Sequence, residues 1–234
     1  MAIAYDTIVN ASFGGSATTT KTWSHTCTGT DGIIFVQTLT DGNNVSGVTY
    51  GGVAMTRVYG QTTDFYSTVY ALPNPASGAN NVVVTCSVAQ NIIPMSVSYT
   101  GAKNEVPTIS NTGSGSSPLS VSVTTTADNS WLLGYMRKTA GGTVTAGTGT
   151  TVRASDTTYA LYTFDSNAPT TPAGSDSLQL TSFTGTGYMG VLAFAPATAA
   201  TSHIKSADGI LYANIKSMSG VAIANVKSTD SVTN

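Results

Sequence analysis

The sequence predicts an all-β protein built as an antiparallel β-sandwich, jelly-roll-like in outline. Apolar and polar residues alternate with period two along most of the chain, the pattern of strands with one buried face. Clusters of Gly, Pro, Asn and Asp interrupt that alternation every ~8–12 residues, as turns between short strands require. The composition agrees: 234 residues include 40 Thr, 27 Ser and 24 Gly, and no segment carries a helical apolar stripe. Only 9% of residues are charged and the net charge is -2, against a usual charged fraction of ~25%. Hydroxyls and glycines therefore form the expected surface, and the chain is long enough to bury a core without disulfide staples.

Residues 1–17 read as an N-terminal arm and residues 18–196 as the sandwich. Its first strand, 21–27, places Lys21, Trp23, His25 and Cys27 on one face. Strand 33–39 is apolar on both sides, with Ile33, Phe35 and Leu39 facing one way and Ile34 and Val36 the other, which predicts a central strand. Strands at 48–59, 65–72, 82–86 and 95–100 complete a first set. A second set follows at 119–124, 131–137, 143–153, 159–164, 178–181 and 188–194. The connections Leu72-Pro73-Asn74-Pro75 and Ala168-Pro169-Thr170-Thr171-Pro172 exclude helix, because proline removes a backbone donor and fixes φ.

The two sets read as one pattern written twice. Asp31-Gly32 matches Asp128-Asn129 ahead of the two central strands, and residues 53–57 match 149–153. Val69-Tyr70 matches Leu161-Tyr162, and Val82-Val83-Val84-Thr85 matches Leu178-Gln179-Leu180-Thr181, at spacings of 92 to 97 residues. Such a repeat makes two small sandwiches or interleaves into one large one. With few aromatics and a single Trp in each half (Trp23, Trp131), one large sandwich is expected.

After a hinge at 197–203, residues 204–234 carry a different repeat. Ile204-Lys-Ser-Ala-Asp-Gly, Ile215-Lys-Ser-Met-Ser-Gly and Val226-Lys-Ser-Thr-Asp-Ser recur with period 11, which puts Lys205, Lys216 and Lys227 in phase. Glycine at the sixth position and the Ile/Val content oppose a helix. Two β arrangements fit. One is an antiparallel hairpin with a three-residue turn at Met218-Ser219-Gly220, facing Ile215 with Ile223; the other is a stack of parallel coils. Neither buries enough apolar surface alone. Ile204, Ile210, Tyr212, Ile215, Val221, Ile223 and Val226 are therefore the expected oligomerisation residues, with the lysines as soluble rim charges.

Two resemblances follow from these residues. Gly47-Val-Thr-Tyr-Gly-Gly-Val-Ala-Met-Thr56, Tyr70-Ala-Leu-Pro-Asn-Pro-Ala-Ser-Gly78 and Ser98-Tyr-Thr-Gly-Ala-Lys-Asn-Glu-Val-Pro107 resemble a β-sandwich module of tailed-phage virion proteins and bacterial surface proteins, over roughly residues 18 to 196. The tail resembles short Ile-Lys-Ser/Gly/Ala-Asn repeats at the ends of phage structural proteins. The resemblance implies a non-catalytic virion component: a capsid decoration, collar or tail-appendage subunit. Its expected partners are copies of itself, with a trimer as the guess, and other virion proteins. The alternative is a carbohydrate-binding or host-adhesion module, with a host-surface glycan as partner.

Chemical constellations are sparse. The only Glu is Glu105, and the histidines are His25 and His203, so neither a catalytic centre nor a cofactor site is expected. His25 and Cys27 share a strand face, which reads as a structural histidine beside a structural thiol. Asp41-Gly42-Asn43-Asn44 offers oxygens but no bidentate partner for Ca²⁺ and reads as an Asx turn, so no metal is expected. Asp64, Asp156, Asp165 and Asp176 read as separate loop acids rather than a hydrolytic pair. Cys27 and Cys86 pair only if their strands adjoin; a cytosolic origin favours free thiols. No basic run suggests nucleic acid, and no apolar stretch reaches the ~20 residues of a membrane span. The N-terminal residues lack a secretory pattern, so synthesis in a host cytoplasm and residence in a virion are the expectation.

Overall fold

The structure is a computed structural model that describes residues 1–11, 15–60 and 66–198, together with the pairs 217–218 and 221–222. Met1–Thr198 form one compact unit and Ala199–Asn234 a second. Within the first unit, all secondary structure is antiparallel β, as expected.

The first half contributes β1 (Ala4–Asn10), β2 (Thr18–Cys27), β3 (Ile33–Thr40), β4 (Val45–Tyr50), β5 (Val53–Ala54), β6 (Thr56–Gly60), β7 (Tyr66–Pro73), β8 (Gly78–Gln90) and β9 (Ile92–Thr100). The second contributes β10 (Ile109–Gly115), β11 (Leu119–Thr124), β12 (Trp131–Lys138), β13 (Thr145–Ala146), β14 (Thr151–Asp156), β15 (Leu161–Asp165), β16 (Ser175–Ser182) and β17 (Gly187–Phe194). Two five-stranded sheets form, in the orders β1-β9-β3-β7-β6 and β10-β17-β12-β15-β14. Each is faced by a smaller sheet from its own half, β2-β8-β4-β5 and β11-β16-β13. The five-stranded orders correspond strand for strand, and the smaller ones do so except for β5, which has no counterpart, so the repeat read from the sequence is a repeat of topology.

The halves do not interleave. Each makes its own sandwich, and the two five-stranded sheets pack against one another, which gives four layers. Ile34, Val36, Tyr70 and Ile92 fill the first sandwich with Val48, Tyr50, Val82 and Val84. Leu132, Tyr162, Phe164 and Val191 fill the second with Leu119, Val121, Leu178 and Leu180. Between the inner sheets lies a third core, where Ile33, Phe35, Val97 and Tyr99 meet Trp131, Leu133, Leu192 and Phe194. Its rings interlock: Phe35–Phe194 centroids are 5.4 Å apart, Tyr99–Phe194 5.1 Å and Tyr99–Trp131 5.7 Å. The shared central core takes rings from both halves, while Tyr50 and Tyr70 stay in the first sandwich and Tyr162, Phe164 and Phe183 in the second.

This arrangement also accounts for β3, in which every residue from Ile33 to Thr40 is buried. An inner sheet has a sandwich on one face and the other half on the other, so period-two alternation gives way to apolar residues on both. Asp31 and Asn129, 98 residues apart, precede β3 and β12 and both take left-handed φ, 51° and 61°. Ile33 and Phe35 accordingly match Trp131 and Leu133, all in the central core. The spacing of 97 read from Asp31 and Asp128 is one residue short, enough to exchange the faces of a strand.

Three local expectations are revised. Residues 4–10 are not an arm: β1 is an edge strand paired with β9 from Ala4↔Thr100 to Asn10↔Met95. The strand stretch expected at 48–59 breaks at the hairpin turn that Tyr50-Gly51-Gly52 calls for, and what the sequence leaves unread is the change of sheet that follows. Gly51 and Gly52 take φ of 56° and 81°, the two positive values that a type I′ turn requires, and Tyr50 pairs with Val53 across them. The chain then leaves the outer sheet after β5 and enters the inner one as β6. In the second unit, β18 (Ser217–Met218) and β19 (Val221–Ala222) pair antiparallel as Ser217↔Ala222 and Met218↔Val221. In that register Met218, expected within the turn, is a paired strand residue.

Candidate functional site

The richest polar constellation of the first sandwich surrounds His25, on the inward face of β2 and 1% exposed. Its Nδ1 lies 2.8 Å from Ser96 Oγ and its Nε2 3.0 Å from Ser98 Oγ, both hydroxyls coming from β9 across the core. Ser98 in turn donates to Asp6 Oδ2 at 2.7 Å, and the Trp23 indole donates to Ser96 Oγ at 2.9 Å. The two ends set the direction of the chain. An ionised carboxylate only accepts and an indole N–H only donates, so the Ser98 proton is committed to Asp6. His25 must then donate from Nε2. In a neutral ring Nδ1 is therefore the acceptor and takes the Ser96 proton.

Electrostatics agree with that assignment. Burial lowers the His25 pKa from 6.5 to about 4, against the opposing pull of the Asp6 carboxylate. Burial alone would raise Asp6, but hydrogen bonds from the Thr28 hydroxyl, the Thr28 amide and the Ser98 hydroxyl outweigh it and hold the carboxyl below its usual value. A hydrolytic triad needs a histidine that takes the proton of an accessible hydroxyl. Here Ser98 points its proton at a carboxylate, and Ser96, whose proton does go to His25, is 1% exposed. No substrate carbonyl reaches either in this conformation, and the arrangement serves to tie β1, β2 and β9 together.

Cys27 is also buried, and burial raises its thiol pKa, as it does that of Cys86. Neither is the depressed thiol of a nucleophile. Cys27 pairs with Gly78 in the β2–β8 ladder, and Cys86 lies eight residues farther along β8, about 26 Å at the rise of a strand. A disulfide tolerates Cα separations of only ~7 Å, so both cysteines are free.

The second constellation lies where the halves meet. Asp165 was expected as a loop acid, but it ends β15 and is 0% exposed. Its Oδ2 accepts Arg153 Nε at 2.7 Å and the Tyr99 hydroxyl at 2.8 Å, and its Oδ1 accepts the Asn167 amide at 3.0 Å. Arg153 also donates to Asn167 Oδ1, and its guanidinium lies 4.1 Å from the ring centre of Tyr5 on β1. One carboxylate of the second half thus holds a tyrosine of the first. Burial, and then the Asp165 charge, push the Tyr99 pKa well above 10.

The remaining candidates serve turns and surface. Asp41 accepts the Asn91 amide and side chain, which occupies both its oxygens at the β8–β9 corner. No group of three potential metal ligands occurs among the described residues. Asp156 caps the turn at Thr158 and Tyr159, and Asp176 accepts Thr170 and Ser177. Glu105 pairs with Lys103 at 2.7 Å, half-exposed beside a shallow cleft that contains no histidine, cysteine or second carboxylate. The two tryptophans are turned into the packing: Trp131 is 6% exposed in the central core and Trp23 is half-buried with its indole bonded to Ser96. Every described tyrosine is likewise buried or half-buried.

Of the expected oligomerisation residues only Val221 is described, as the partner of Met218. Ile204, Ile210, Tyr212, Ile215, Ile223 and Val226 lie outside the described residues, as do His203 and Asp64. No helix among the described residues is long and apolar enough to cross a membrane. Comparisons with protein families, with curated proteins and with solved structures return no match.

Proposed function

We propose that this chain is a structural, non-catalytic subunit of a tailed-phage virion: a capsid decoration, collar or tail appendage. One observation carries the reading. Among the described residues, the groups that could do chemistry are taken up in packing or pairing: His25, Cys27 and Asp165 are buried, Asp41 is bonded to Asn91, and Glu105, beside the shallow cleft, pairs with Lys103. The body acts as a rigid four-layer block with a sparsely charged, hydroxyl-rich exterior. Residues 204–234 bring its copies together through the in-phase Ile204, Ile215 and Val226, and the paired strands β18 and β19 agree with a β character for that segment. Host adhesion through a glycan is the second reading, and Asx-rich loops such as Asp41-Gly42-Asn43-Asn44 are what favour it.

Truncation after Ala200 tests the proposal. The shortened chain is expected to stay folded and soluble, to sediment as a monomer where the full chain sediments as an oligomer, and to lose association with particles. If it keeps the full-length oligomeric state and still decorates virions, the tail is not the assembly element.

A further inference from the structure

A strand at the edge of a sheet presents a row of unpaired N–H and C=O groups on which another chain can add. Most edges of the body carry a defence. β1, β2, β6 and β14 each shift register against their neighbour, and each includes a charged residue: Asp6, Lys21, Arg57 and Arg153 in turn. β5 and β13 are only two residues long. β10 and β11 have neither protection. They pair with β17 and β16 over seven and six residues without a shift, and neither contains a charge or a proline. Both lie at the same side of the second sandwich, close enough that a Cβ on Gly113 would sit 2.9 Å from Val121.

The ladders show which backbone groups face outward. Thr139 donates its amide to Thr186, one step beyond the Lys138↔Gly187 pair. Tyr188, Gly190 and Leu192 therefore turn their backbone groups toward β12, and Met189, Val191 and Ala193 turn theirs toward β10. The partners of the latter are Gly113, Asn111 and Ile109, which leaves the groups of Ser110, Thr112 and Ser114 on the free edge. On β11, Thr125 donates to Gly174, one step beyond the Thr124↔Ser175 pair. The same alternation leaves Ser120, Ser122 and Thr124 facing outward there.

One side chain closes the middle of both edges. Asn111 Oδ1 accepts the Thr112 amide at 2.9 Å, and Asn111 Nδ2 donates to the Ser122 carbonyl at 2.8 Å. A carboxamide offers the donor and acceptor of a peptide group, so it stands where the backbone of an added strand would have to bond. We propose that Asn111 guards this side of the second sandwich and keeps another copy of this chain from adding a strand to β10 or β11. An identical copy is the intruder these edges invite. Strands that pair across a two-fold axis set equivalent residues against each other, and an edge without charge meets no repulsion in doing so.

Hydrogen exchange and association of the full chain test this. In dilute solution, Asn111→Ala is expected to speed exchange of the Thr112 amide roughly threefold to tenfold, while the Gly113 amide, held by β17, keeps its rate. At raised concentration the variant is expected to form species larger than any of the wild type. Adding Ser110→Lys is expected to restore the wild-type size distribution, since a lysine guards an edge by its charge. Unaltered Thr112 exchange, a wild-type size distribution for Asn111→Ala, or larger species that survive the added lysine each overturn the proposal. A crystal or solution structure of the wild type with the Asn111 carboxamide turned to solvent overturns it without any variant.

Discussion

At the scale of single residues, the buried groups that tie strands together set the response to acid. Folded His25 has a pKa of about 4 against 6.5 unfolded, so below pH 6.5 the unfolded chain takes up a proton that the folded chain refuses. The contribution of neutral His25 is complete above 6.5, declines as the pH falls toward 4 and changes no further below that. Across that window the loss is roughly 3 kcal/mol. Asp6, whose carboxyl is held below its usual value, loses its contribution only at still lower pH. Urea midpoints measured from about pH 7.5 down to about pH 4.5 are expected to fall, and His25→Gln to flatten the profile; a flat wild-type profile would contradict a buried neutral imidazole. The Arg153–Asp165 pair responds differently. Arg153→Met leaves a 0% exposed carboxylate without its cation and is expected to cost about 3–5 kcal/mol by chemical denaturation. Adding Asp165→Asn should recover part of that loss. Beyond the reading of His25 as a structural histidine, none of this was legible in the sequence. Asp165 reads as a loop acid because its partners Arg153 and Tyr99 stand 12 and 66 positions away, on strands whose adjacency only the fold creates.

Among the elements, legibility tracked burial. β3, β11, β12 and β17 were placed within a residue or two of their ends, because β11 alternates with its one buried face and the other three run mostly apolar on both faces. β1 and β10 escaped notice for the opposite reason. As edge strands they are held by backbone ladders to β9 and β17, and the sequence of β10, Ile-Ser-Asn-Thr-Gly-Ser-Gly, carries almost no side-chain signal. The inner strands are correspondingly intolerant of change in either direction. Phe35→Ala or Trp131→Ala is expected to lower unfolding free energy by about 3–5 kcal/mol, since each removes a ring from the central core. Gly190 on β17 tests the reverse. A Cβ there would lie 2.3 Å from the Tyr135 ring, so Gly190→Ala is expected to destabilise by about 1–3 kcal/mol through overpacking. A neutral result in thermal unfolding would mean that the ring has room to move.

For the molecule as a whole, the stacked sandwiches should behave as one cooperative body. Limited proteolysis is expected to yield a resistant product covering residues 1–198 rather than a stable half ending near residue 105. A half alone would expose Phe35, Val97 and Tyr99 to water, an apolar patch that soluble monomers avoid. Recovery of a soluble, monomeric half would show that the central core is dispensable. Expecting one interleaved sandwich missed the stacking, because sparse aromatics in each half signal a shared core as readily as a merged one. The corresponding strand orders of the two halves carry a further consequence. In a symmetric pair of identical chains every substitution enters the interface twice and must suit both places. Here the equivalent surfaces sit on one chain and change one at a time. Asp165 can reach across to Tyr99 with no mirror-image carboxylate reaching back. Covalent joining keeps the architecture of a dimer while freeing the chemistry of its interface from the requirement of symmetry.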